Sequence, residues 1–242
     1  MLCYKKRMIK RSNSMKKKVL YTEMAYVLGL ILLAIGNSLM AKADFGISIV
    51  IAPAYLVYLK LSSIFSFFTF GMAEYILQTI LLIMTMLVLR KFRISFLFAF
   101  VTAVVYGLIL DVVMLGIDWI PHDTFAMRVL FFIVALFFNA AGVSMHFHTY
   151  LPPAAYEFFV KEVSGKLQID INKFKRGFDF SFCVIGIVMS FCFFGLWHFE
   201  GIKLGTVICV LFNSFAIAKW SKFYEQNWEI RDKWGFRQRF EK

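Results

Sequence analysis

The sequence predicts an all-α membrane protein: six transmembrane helices, built as two inverted three-helix repeats, with both termini cytoplasmic. Three observations carry that reading. Apolar stretches of about 20 residues, each long enough to cross a hydrocarbon core of about 30 Å, recur six times. Lys and Arg gather in alternate connections. The chain also aligns with itself when shifted by 106 residues.

Of the 242 residues, 60% are hydrophobic and 19% aromatic, more apolar surface than a soluble domain of this length can bury. The spans read as Val19 to Ala41, Ser66 to Leu89, Ile94 to Ile117, Phe125 to Phe147, Phe178 to Trp197 and Gly201 to Ala218. Residues 1–18 form a basic leader, followed by an apolar run too long for a signal-peptide core. Met15, with three lysines behind it, also reads as an alternative start. Residues 219–242 form a basic, aromatic cytoplasmic tail.

The formal charge of +12 sits in short segments between spans and in the tails, where anionic headgroups attract it. It therefore points to lipid and not to nucleic acid. The leader, the Arg90–Arg93 turn, the Lys161–Arg176 connection and the tail hold nearly all the basic residues. Six crossings put those four segments on the cytoplasmic side of the membrane, leaving Lys42, Lys60, Arg128 and Lys203 outside.

Cys3 lies in the leader and Cys183, Cys192 and Cys209 in apolar stretches, which gives neither a disulfide framework nor a metal spacing. His146 and His148 point about 200° apart on a helix and cannot share one ion. No metal or other cofactor is expected. The signatures H-E-x-x-H, G-x-S-x-G, Walker A and G-x-G-x-x-G are missing too, so the chain reads as a non-enzyme. The sequence assigns no oligomeric state.

The 106-residue shift pairs Leu30 with Leu136, Ala34 with Ala140, Gly36 with Gly142 and Ser38 with Ser144. Further on it pairs Lys60 with Lys166, Phe68 with Phe174 and Gly71 with Gly177, and it superposes two long connections, 42–65 and 149–177, either of which has room for a re-entrant helix. Repeat 1 covers about 19–117 and repeat 2 about 125–218. An odd number of crossings per repeat inverts the second copy. Interruptions at Phe45-Gly46, Pro53 and Pro152-Pro153 then mark corresponding places where a transporter builds its site.

The segments Leu151-Pro152-Pro153-Ala154-Ala155-Tyr156-Glu157, Lys175-Arg176-Gly177-Phe178-Asp179 and Gly201-Ile202-Lys203-Leu204-Gly205-Thr206 resemble the YczE/YyaS/YitT group of bacterial membrane proteins. The resemblance covers nearly all of the chain after Met15 and implies a small multi-pass plasma-membrane protein. Glu157 stands where that group leads one to expect aspartate, and Asn213 where it leads one to expect glycine.

Read at 100° per residue, the spans carry one-sided stripes of small and polar residues. The clearest are Gly71/Glu74/Gln78/Thr85 and Ala135/Asn139/Gly142/His146; Ala103/Gly107/Asp111 and Asp179/Cys183/Gly186/Ser190 are similar. The small residues serve close helix packing. An intramembrane carboxylate costs about 2.5–3.5 kcal/mol even on the lenient insertion scale, so Glu74 and Asp111 must face protein, water or a partner. Asp179 falls nearer the cytoplasmic surface. The candidate binding or proton-relay residues are Glu74, Gln78, Asp111, Asn139, His146 and Asp179, with Glu74 and His146 expected to meet between the halves. The expected function is transport of a small molecule or cation; the alternative is an accessory protein that docks a partner through its cytoplasmic segments.

Overall fold

The computed structural model describes residues 18–232 except 92–93, 122–123, 150, 152–153 and 198. Most of the leader, Arg93, the Pro152-Pro153 pair and the end of the tail therefore lie outside the described residues. The elements are β1 (Lys18–Tyr21), α1 (Thr22–Ala43), α2 (Ala52–Ser62), α3 (Phe70–Leu89), α4 (Ile94–Asp118), α5 (Phe125–Phe147), α6 (Ala155–Leu167), α7 (Ile171–Phe194), α8 (Leu204–Asn227) and β2 (Trp228–Arg231). Six of the eight helices, all but α2 and α6, are long and apolar enough to cross a membrane.

Helix edges differ from the sequence expectation where polar chemistry overrides hydropathy. The first helix starts at Thr22 and not Val19, because residues 18–21 form a strand that pairs in parallel with β2, Lys18 opposite Trp228 and Tyr21 opposite Arg231. This pairing brings the two ends of the described chain together on one face. Helix α8 runs on to Asn227, so the expected tail begins as helix. Each long connection contains a short helix, and α2 begins with Pro53 in its first turn, where the missing N–H has no intrahelical partner to lose.

The centre of the molecule is the α1–α5 pair, the most extensive helix contact. Asn139 lies against Gly36 and Met40, while Gly142 and His146 lie against Gly29. Position rises along one helix as it falls along the other, so the two are antiparallel. A Cβ on Gly36 would stand 2.6 Å from Asn139 Oδ1, closer than real Cβ atoms come. Glycine is what lets these backbones approach.

Helices α3 and α4 cross in the same way. A Cβ on Gly71 would overlap the carbonyl oxygen of Gly107. Helix α4 also packs on α1, α8 on α5, α2 on α3 and α7, and α6 on α3 and α7. The outer turns of α7 and α8 expose large apolar side chains such as Phe180, Leu211 and Phe215, the surface a lipid-facing helix presents.

Candidate functional site

Helix α3 starts where it does because two partners hold its first turn. Thr69 accepts from Met72 N at 3.2 Å. The Asp111 carboxylate on α4 accepts from Gly71 N at 2.7 Å and from the Thr69 hydroxyl at 2.7 Å. Asp111 is thus a cap supplied by a neighbouring helix, and its carboxylate answers to backbone donors.

That register buries Glu74, one turn further in, completely: its exposure is 0%. Gln78 Nε2, the next turn on the same face, donates to Glu74 Oε1 at 3.1 Å. The Tyr156 hydroxyl, from α6, lies 3.0 Å from both carboxylate oxygens. No Lys, Arg or His makes a hydrogen bond or ion pair with Glu74 among the described residues.

A second buried pair lies nearby in the α1–α4 packing, where Asn37 Nδ2 donates to the Tyr106 hydroxyl at 2.5 Å. Two amide oxygens in this interior, Gln78 Oε1 and Asn37 Oδ1, have no hydrogen-bond partner among the described residues, although their residues are each 1% exposed. Buried acceptors are normally satisfied, so both stand ready for a positive or donating group.

The expected meeting of Glu74 with His146 does not occur. His146 is turned into the α1–α5 contact, stacked on Tyr26 with ring centroids 4.9 Å apart, its Nε2 lying 3.3 Å from the Tyr26 carbonyl oxygen. Helix α3 packs on α2, α4 and α6, whereas α5 packs on α1 and α8, so the two polar stripes face different neighbours. Asn139 donates to Met40 Sδ at 3.4 Å and stays with the α1–α5 pair. Asp179 is part-exposed and bonds Lys175 one turn back, at 3.3 Å.

Of the six candidates, then, the structure joins Glu74 with Gln78 and puts the other four elsewhere. It adds Tyr156, Tyr106 and Asn37, which sequence reasoning missed. Tyr156 stands in a connection with no helical stripe of a span, and Asn37 is one polar residue between small ones.

Above this interior, at the end of the molecule opposite the β1–β2 pair, a cavity of about 430 Å³ opens between α1, α2, α4 and α5. Ala41, Lys42, Asp44, Tyr55, Tyr58 and Arg128 help to line it. Ala41 is one helical turn beyond Asn37. Around the rim Arg128 donates to Asp44 Oδ2 at 2.9 Å and Lys203 to Asp44 Oδ1 at 2.5 Å, while Lys42 pairs with Asp118.

Six apolar helices around a buried carboxylate, with both described ends on one face, define a polytopic α-helical membrane protein. The chain belongs to a family of unknown function (DUF6198), which matches residues 20–222. No curated protein and no solved structure matches it.

Proposed function

We propose that this protein is a secondary transporter of inverted-repeat type in a bacterial plasma membrane, with no enzymatic activity, moving a small molecule or ion past Glu74. The carrying observation is a single bond pair. The one fully buried glutamate of the first half, Glu74, is held by Tyr156 of the second half, so any motion of the halves changes the partners of an intramembrane charge.

The packing supports the repeat. Under the 106-residue shift, α1 corresponds to α5, α2 to α6, α3 to α7 and α4 to α8. The contacts α1–α4 and α5–α8 then correspond, as do α2–α3 and α6–α7, and α3–α6 and α2–α7. Lys42 with Asp118 maps onto His148 with Tyr224, a ring pair with centroids 6.4 Å apart at the other end. An antiparallel α1–α5 pair at the centre is what inverted copies require. On this reading the termini are cytoplasmic and the 430 Å³ cavity is an outward vestibule. The YczE/YyaS/YitT resemblance remains part of the same proposal.

The accessory-protein reading rests on a different place. Trp220, Phe223, Tyr224 and Trp228 cluster ring against ring at the end of α8, beside an apolar groove of about 340 Å³, and form a surface able to hold a partner. Substrate-dependent flux into proteoliposomes containing only this protein is the expected result. Copurification of a defined partner, without flux of any solute tested, supports the accessory role instead.

A further inference from the structure

We infer that the Glu74 site binds a sodium ion, held by the Glu74 carboxylate, the Gln78 side-chain oxygen and the Tyr156 hydroxyl. This rests on the transport reading for its purpose, since the ion would couple uptake to its own gradient, but the site stands on its own geometry.

With the Gln78 amide turned so that Oε1 in place of Nε2 faces Glu74, the donor set is hard oxygen throughout: two carboxylate oxygens, one amide oxygen and one phenol. Such sets select hard cations. One carboxylate balances one positive charge. A divalent ion would leave an uncompensated charge in a medium that cannot solvate it, which restricts the ligand to a monovalent cation. The phenol oxygen is 3.0 Å from each carboxylate oxygen, and oxygens so closely gathered converge on a small ion better than on a large one.

The unfilled valence points the same way. In this structure Gln78 turns its Nε2 toward Glu74, so an amide N–H₂ stands where positive charge is wanted, and its Oε1 is left without a partner among the described residues, in a fully buried place. Rotating that amide by 180° presents Oε1 to the carboxylate. The rotation is favourable when a cation lies between the two oxygens, or when a protonated Glu74 donates its O–H to Oε1. A proton on Glu74 would satisfy one acceptor, whereas an ion satisfies the carboxylate, the amide and the phenol together.

The test uses the purified full-length chain in detergent, with thermal unfolding followed in NaCl, KCl and choline chloride at equal ionic strength and pH. Binding to the folded state alone raises Tm with ligand concentration, so sodium should raise it saturably, potassium less, and choline not at all. Glu74→Gln should lose the sodium shift and Tyr156→Phe should weaken it. Asp179→Asn, away from the site, should keep it. If Glu74→Gln does not yield folded protein, Gln78→Leu replaces it and should also weaken the shift.

No sodium-specific shift in the wild type overturns the proposal, as does a shift that survives in both Glu74→Gln and Gln78→Leu. A Tm that follows pH but ignores sodium overturns it in favour of a proton. The transport reading fails separately. Flux without sodium dependence removes the ion and keeps the transporter, while a sodium shift with no flux under any gradient keeps the ion and removes the transporter.

Discussion

A carboxylate sealed from both water and lipid is held only by the groups that touch it, and for Glu74 these are one phenol and one amide. Hydrogen bonds to a charged group contribute about 1.5–3 kcal/mol each. Tyr156→Phe is therefore expected to lower stability by about that amount and to reduce flux, read by thermal unfolding and by proteoliposome uptake. Glu74→Gln should behave differently: the isosteric amide keeps shape and insertion while removing the charge, so flux should fall to background with Tm nearly unchanged. Wild-type flux in Glu74→Gln would reduce the residue to a structural role. Asp111 offers the contrast, since its partners are backbone and hydroxyl donors at the start of α3. Asp111→Ala should cost about 0.5–2 kcal/mol, the range of a lost helix cap, and leave flux per folded molecule unchanged.

Between elements, the decisive feature is close backbone approach. Gly71 and Gly107 bring α3 onto α4. A methyl group on Gly71 has nowhere to go but into the Gly107 carbonyl. Gly71→Ala should then destabilise by about 1–3 kcal/mol, the usual cost of overpacking. Gly116, on the same helix as Gly107, has nothing within 4 Å of where a Cβ would stand. Gly116→Ala should be neutral or stabilising by about 0.5–1 kcal/mol, because it only restricts the unfolded chain. Comparing the two by thermal unfolding separates packing from propensity. Two helical glycines thus differ by whether a neighbouring backbone is there.

For the molecule as a whole, the proposed repeat of helices is not matched by a repeat of chemistry. Under the 106-residue shift Glu74, Gln78 and Tyr106 correspond to Phe180, Val184 and Phe212, of which Phe180 is 71% exposed. The first half closes α3 on α4 around polar residues, whereas α7 and α8 do not pack broadly on each other and turn apolar residues outward. The proposed site therefore has no counterpart of the same chemistry at the corresponding positions of the second half. Lys42, Arg128 and Lys203 are each paired with an acid and Lys60 donates to the Phe193 carbonyl at 3.2 Å, so the few bases expected outside are neutralised or capped. Reporters fused after Arg93, within 168–170 and after Lys242 should read as cytoplasmic, and those near Lys60, Pro121 and Glu200 as external. A cytoplasmic signal at Glu200 would remove the inverted arrangement.

The sequence by itself determined that the chain enters lipid, that six helices are long and apolar enough to cross it, and that Glu74 with Gln78 forms a polar step on one face of the second span. Hydropathy, charge and helical periodicity are local quantities, and a chain solvated by lipid must obey them because no water is present to satisfy a stray backbone group. The ends of the helices were less legible, since the β1–β2 pairing that trims α1 joins residues more than 200 positions apart. Only the tertiary structure decided which stripes meet. It sent His146 to Tyr26 and brought Tyr156, from a connection, to Glu74. Periodicity tells which residues share a face but not which face it opposes, and that choice is made by where glycines let two backbones close.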